Sequence, residues 1–237
     1  MIGRVATVFA FAVNLMLAAI VAGAALPGQH RILMPKAYGL SEIAPRVWTD
    51  APGRRAELLA LRDRAKARVA AFFEDAPPDP ALVLCTTEAC REAFRIRGNG
   101  LSIADLVVMA APGGLTEGTL THEMTHSRLH RSMGLSNLVR PPYPTWFDEG
   151  LATRLADHPK WTGTIRAADR ARVREVRRSW QLRPAFGELG VGRTYRAAAA
   201  EVARIERLAG RAGLLALIRR AEAGEDFDRV LKEVTGE

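Results

Sequence analysis

Apolar positions recur at helical spacing between residues 56 and 73. Leu58, Leu61, Ala65, Val69, Phe72 and Phe73 form one stripe, and Arg and Lys occupy the other faces, the pattern of an amphipathic helix. Pro77-Pro78-Asp79-Pro80 stops it. Ala81 to Cys85 is a short apolar run that reads as a strand, and Glu88 to Phe94 reads as a helix. After a turn at Gly98-Asn99-Gly100, Leu101 to Ala110 is the best strand of the chain. Ile103, Leu106, Val107, Val108 and Met109 suit a sheet, and Pro112-Gly113-Gly114 ends it. The next helix begins near Thr116, a good N-cap with Glu117 in the first turn, and is expected to run to Gly134. Pro141, Pro142 and Pro144 mark a rigid connector before a helix from Trp146 to Ala156. Ile165 to Trp180, Tyr195 to Leu208, Arg211 to Ala223 and Phe227 to Val234 are further helices. The order predicts an α+β domain with a small sheet and a helical C-terminal part.

The chain begins differently. Arg4 precedes an apolar run of 22 residues from Val5 to Leu26, broken only by Asn14 and small residues. That length spans a bilayer core. Ala22-Gly23-Ala24 also fits a signal-peptide cleavage site. Residues 1–26 are therefore read as a single-pass membrane anchor, with secretion or periplasmic release after signal cleavage as the alternative. Either sends the remainder outside the cytoplasm. Residues 27–56 are rich in Pro and Gly and read as a linker or extended lead-in, and residues 57–237 form the domain.

Composition changes this picture little. The formal charge is +8, mostly through arginine, which could favour a nucleic acid or an anionic membrane. The arginines are spread over several helices, as in Arg170, Arg172, Arg174, Arg177 and Arg178, without aromatic interleaving or a nucleic-acid motif. A solvated basic surface is the simpler reading, and no nucleic-acid partner is expected. Cys85 and Cys90 are one pair, two ligands short of a structural zinc site. They suit a local disulfide in an oxidising compartment and two small buried residues in a reducing one.

The chemistry concentrates in Thr121-His122-Glu123-Met124-Thr125-His126. Positions i and i+4 share one helix face, so His122 and His126 can grip one metal ion. Glu123 points about 100° round the helix, where it can reach a reacting water without ligating the metal. A catalytic zinc needs a third protein ligand. His130 lies two turns from His122, more than about 10 Å along the axis, and Leu129 stands where a helix-breaking Gly would let the chain turn back. Glu149 and Asp148, in Trp146-Phe147-Asp148-Glu149-Gly150-Leu151-Ala152, are the other candidates.

His-Glu-x-x-His followed by Trp-x-x-Glu-Gly-x-Ala resembles the gluzincin metallopeptidases, which include thermolysin and aminopeptidase N. The compact peptidase MA-like domains are the nearer likeness, because the 22 residues between His126 and Glu149 exceed the spacing of the best-known members. The likeness is firm over the two motifs and loose over residues 80–237. It implies a zincin-like fold, a Zn2+ ion held by His122, His126 and Glu149, and Glu123 as general base. Asp148 matches a variable polar position and is not assigned to the metal. The implied activity is hydrolysis of a peptide or protein substrate, with the strand before the metal helix beside the cleft. Tyr195 is the candidate for oxyanion stabilisation, with Arg193 and His158 as alternatives. A Tyr that only packs at a helix start is the plainer reading. Thr125, inside the helix, is expected to bond its own backbone. The competing expectation is a catalytically inactive membrane-anchored module that binds peptide or protein.

Overall fold

The computed structural model describes residues 29–133, 141–157 and 164–237. Its five-stranded mixed sheet has the order β1-β2-β3-β5-β4, with β1 at Ser41–Ala44, β2 at Val47–Thr49, β3 at Ala81–Leu84, β4 at Gly100–Ile103 and β5 at Val107–Ala110. β2, β3 and β5 run parallel, while β1 and β4 are antiparallel edges. Eight described helices follow the chain: α1 Arg55–Phe73, α2 Glu88–Ala93, α3 Glu117–Leu129, α4 Thr145–Ala156, α5 Ala167–Arg174, α6 Leu182–Leu189, α7 Val191–Glu222 and α8 Phe227–Thr235. The α+β class expected from the pattern is the class observed.

Strand alternation divides the core. Leu82, Leu84, Val108 and Ala110 point to the large helical side, where the α1 stripe, Leu120, Met124, Trp146 and Phe147 are buried. Val83, Val107 and Met109 point the other way, onto Leu40, Phe94, Ile96 and the Cys85–Cys90 disulfide. The disulfide ties the end of β3 to α2, as expected for an oxidising compartment.

Several local expectations need correction. The single strand from Leu101 to Ala110 is a hairpin, β4 and β5 joined through Ala104, Asp105 and Leu106, with Ala104 in the left-handed region at φ 48°. Polar Ser102 and Asp105 interrupt the apolar run there, and Gly100 pairs back onto Ala110. The stretch 27–56 contributes β1 and β2. α3 ends at Leu129, capped by His130, short of Gly134. The expected helix from Ile165 to Trp180 is only α5, and α6 was not anticipated. α7 holds both expected helices, broken at Gly210, whose φ of 70° is not helical. Among the described residues no helix is long and apolar enough to cross a membrane, and the run from Val5 to Leu26 lies outside them.

α3 packs on α1, α4, β4 and β5, and α4 packs on α7. Gly150 permits the second contact. A Cβ there would meet the Ala198 carbonyl oxygen at 2.6 Å, so the residue after Glu149 must be glycine for α4 to lie this close.

Candidate metal centre

Thr116 Oγ1 accepts from the Thr119 N–H at 3.1 Å and caps α3 as its sequence suggests. Helical spacing then stacks His122 and His126 with ring centroids 4.8 Å apart. Thr125 donates its hydroxyl to the Thr121 carbonyl at 2.7 Å and takes no part in the site. α4 brings Glu149 opposite the two imidazoles.

Three atoms form a nearly equilateral triangle. The two Nε2 atoms are 3.1 Å apart, and Glu149 Oε2 is 3.4 Å from each of them. Ligands about 2.0–2.1 Å from a tetrahedral zinc stand about 3.3–3.4 Å from one another. Glu149 Oε2 is buried and makes no hydrogen bond, although a buried carboxylate oxygen is costly to leave unpaired. The donor set and its spacing therefore fit a metal ion. Burial opposes ionisation of Glu149, but the imidazoles, His126 foremost, outweigh it and hold the carboxyl down to about 2. Burial also disfavours charge on His126, yet Asp148 and Glu149 raise its pKa well above the ordinary value.

Asp148 has a part that its sequence position did not reveal. Its Oδ1 lies 2.8 Å from His126 Nδ1, and its Oδ2 lies 2.8 Å from His130 Nε2. His126, His130 and Asp148 also form a potential metal-binding group. Their 2.8 Å separations are those of hydrogen bonds, and shorter than the spacing of two zinc ligands. The carboxylate thus accepts from His126 Nδ1–H, so that the neutral ring presents its Nε2 lone pair toward His122 and Glu149. His130 does not join the first triangle, in keeping with its distance along the helix. Burial opposes the Asp148 charge, but His126 and His130 hold its carboxyl well below the usual range.

Glu123 stands apart from the triangle. It is 8% exposed and lies against β4, where a Cβ on Gly100 would meet its Oε1 at 2.7 Å. Burial raises its pKa, His122 and His126 pull it down, and a hydrogen bond from Ser102 also lowers it. The net shift is upward. The sequence marks Gly100 only as a turn residue and Ser102 not at all, because both matter to the site only through the hairpin.

No protein-family model, curated protein or solved structure matches the chain.

A cleft of about 540 Å³ opens beside His122 and Glu123, lined also by Gly98, Gly100, Thr119, Val191, Gly192 and Tyr195. Tyr195 presents its ring to His122 edge-on, with centroids 6.1 Å apart. Burial raises its phenol pKa, and the nearby Glu149 and Glu123 raise it further, so the hydroxyl keeps its proton and can donate. Arg193 is engaged with Asp169 at 3.4 Å, and His158 lies outside the described residues. The site can hold a metal ion and keeps beside it a carboxyl whose pKa is raised.

Proposed function

We propose that this chain is a zinc-dependent peptidase of the gluzincin kind, with His122, His126 and Glu149 as ligands. The observation that carries the reading is the triangle of ligand atoms with Glu123 held outside it. Zinc bound there supplies Lewis-acid polarisation of the scissile carbonyl and acidifies water. Glu123 then takes the proton from the attacking water and delivers it to the leaving amine nitrogen. Its raised pKa suits both transfers. Tyr195 donates its hydroxyl to the developing oxyanion. The free edge of β4, with Gly100 against Glu123, receives the substrate as an added strand. The Cys85–Cys90 disulfide supports a catalytic domain outside the cytoplasm, anchored through Val5 to Leu26.

The test is metal analysis of the purified full chain, followed by peptide-library cleavage by wild type and Glu123→Gln. About one zinc per chain is expected. The variant should keep that zinc and lose about 10²- to 10⁴-fold in kcat. Less than one zinc per chain overturns the ligand assignment. Equal cleavage by the variant removes Glu123 as the base. Zinc without cleavage by wild type returns the domain to a binding module.

A further inference from the structure

The cleft has a cation that no described residue pairs with. Arg97 lines it together with Gly98, Gly100, His122, Glu123 and Tyr195, and its side chain is exposed. Among the described residues it has no hydrogen bond, ion pair or ring contact. Its neighbour Arg91 is tied to Glu88 and the Ile96 carbonyl, whereas Arg97 is not tied in this way. The stretches 1–28, 134–140 and 158–163 contain no Asp or Glu, so no carboxylate side chain from them can neutralise it. Arg97 precedes Gly100 by three residues, and Gly100 touches Glu123. Three residues span at most about 10 Å. A peptide lying along β4 advances about 3.3 Å per residue, so a cleft-lining side chain at position 97 is within reach of residues close to the bond to be cut.

We propose that Arg97 is a specificity residue that selects peptides bearing a carboxylate close to the scissile bond. The inference rests on the peptidase reading of the same cleft. A guanidinium offers a planar fork that a carboxylate matches with two parallel hydrogen bonds. That carboxylate is either an Asp or Glu side chain or the free C-terminus of the peptide, and the net charge of +8 favours the approach of both.

The test uses the zinc-loaded full chain in detergent and four peptide sets. Asp or Glu is compared with Asn or Gln at each position, and each peptide is made as a free acid and as an amide. The expected wild-type preference for carboxylate over neutral peptides is about tenfold in kcat/KM, limited by solvent screening of an exposed Arg. Arg97→Gln should remove that ratio, and Arg97→Glu should shift it toward Lys- and Arg-containing peptides. A preference that follows the side chain, or one that follows the free terminus, identifies the source. Equal kcat/KM for carboxylate and neutral peptides, or an unchanged ratio in Arg97→Gln, overturns the proposal. A second readout separates it from the peptidase reading. Anisotropy of the same labelled peptides on Glu123→Gln measures binding without turnover. If wild type cleaves nothing, peptidase activity fails, while a carboxylate preference in binding that Arg97→Gln abolishes still upholds the Arg97 assignment. Equal binding of acid and neutral peptides rejects it.

Discussion

Glu149 and Glu201 lie on two helices packed against each other, α4 and α7, and the chain treats them in opposite ways. Glu201 is 2% exposed and is ringed by guanidinium groups, with Arg204 at 2.9 Å, Arg174 at 3.5 Å and Arg170 at 3.7 Å. Arginine is always charged, so Glu201 faces fixed cations. Glu149 faces two imidazoles instead, with one oxygen left without a hydrogen bond. Imidazoles are neutral near pH 7 when a metal takes their lone pairs. A structural acid is closed by fixed cations, whereas this one is closed by groups that can yield to an ion. The partner type, more than burial, marks the site.

The strongest way to break the comparison is to remove each acid in turn. Glu149→Ala should lower zinc affinity by well over about 100-fold, beyond what loss of an outer partner costs, and abolish cleavage. Chelator competition on the purified chain measures it. Zinc affinity that survives Glu149→Ala would leave the triangle without its third ligand and favour His130 or Asp148. The next effect tests how His126 is aimed. Asp148→Asn keeps the shape but removes the charge between His126 and His130, and should cost about 10- to 100-fold in zinc affinity. The metal-free melting temperature distinguishes a packing role, since a purely structural Asp148 would lower that temperature and leave the affinity of the folded protein unchanged.

The sequence made the local part of this site legible and left the contacts between elements hidden. His122 and His126 follow from helix periodicity alone, and the Thr116 cap from its side chain. The distance argument also kept His130 out of the triangle. Glu149 became visible only through a second motif, because the contact of α3 with α4 is not written in either helix. Asp148 stayed silent for the same reason: a polar residue beside a ligand gains its meaning from what the facing helix offers. The hairpin was lost because ten mostly apolar residues satisfy a strand pattern equally well straight or folded back. β1 and β2 were lost because short edge-side strands among Pro and Gly carry little periodicity.

Glu201→Gln tests the other side of the comparison. It should cost about 1–2 kcal/mol of stability by leaving three guanidiniums under-compensated, with part of that screened because those arginines are partly exposed. Zinc content should stay at the wild-type value. Urea unfolding with and without chelator reads both quantities. A fall in zinc content without loss of stability would make Glu201 part of the site and dissolve the contrast.

The smallest effect comes from an acid closed in a third way, by main-chain donors. Asp50 accepts from the Thr86 N–H at 2.7 Å and the Thr87 N–H at 3.0 Å, and from the Thr87 hydroxyl, holding the end of β2 to the segment before α2. Burial works against its charge, but these hydrogen bonds outweigh burial and lower its pKa below the usual value of 3.8. The unfolded chain therefore takes up the proton first as pH falls. The contribution is complete above the unfolded pKa and disappears as pH drops through the lower folded one. Asp50→Asn should cost about 1 kcal/mol near neutral pH, discounted for the solvent that reaches a half-buried group. Once the pH has fallen below the lowered folded pKa of Asp50, the two proteins should converge. Melting curves from neutral pH to below that pKa decide it, and a gap that stays constant with pH would mean that shape, not charge, is what the two threonines recognise in Asp50.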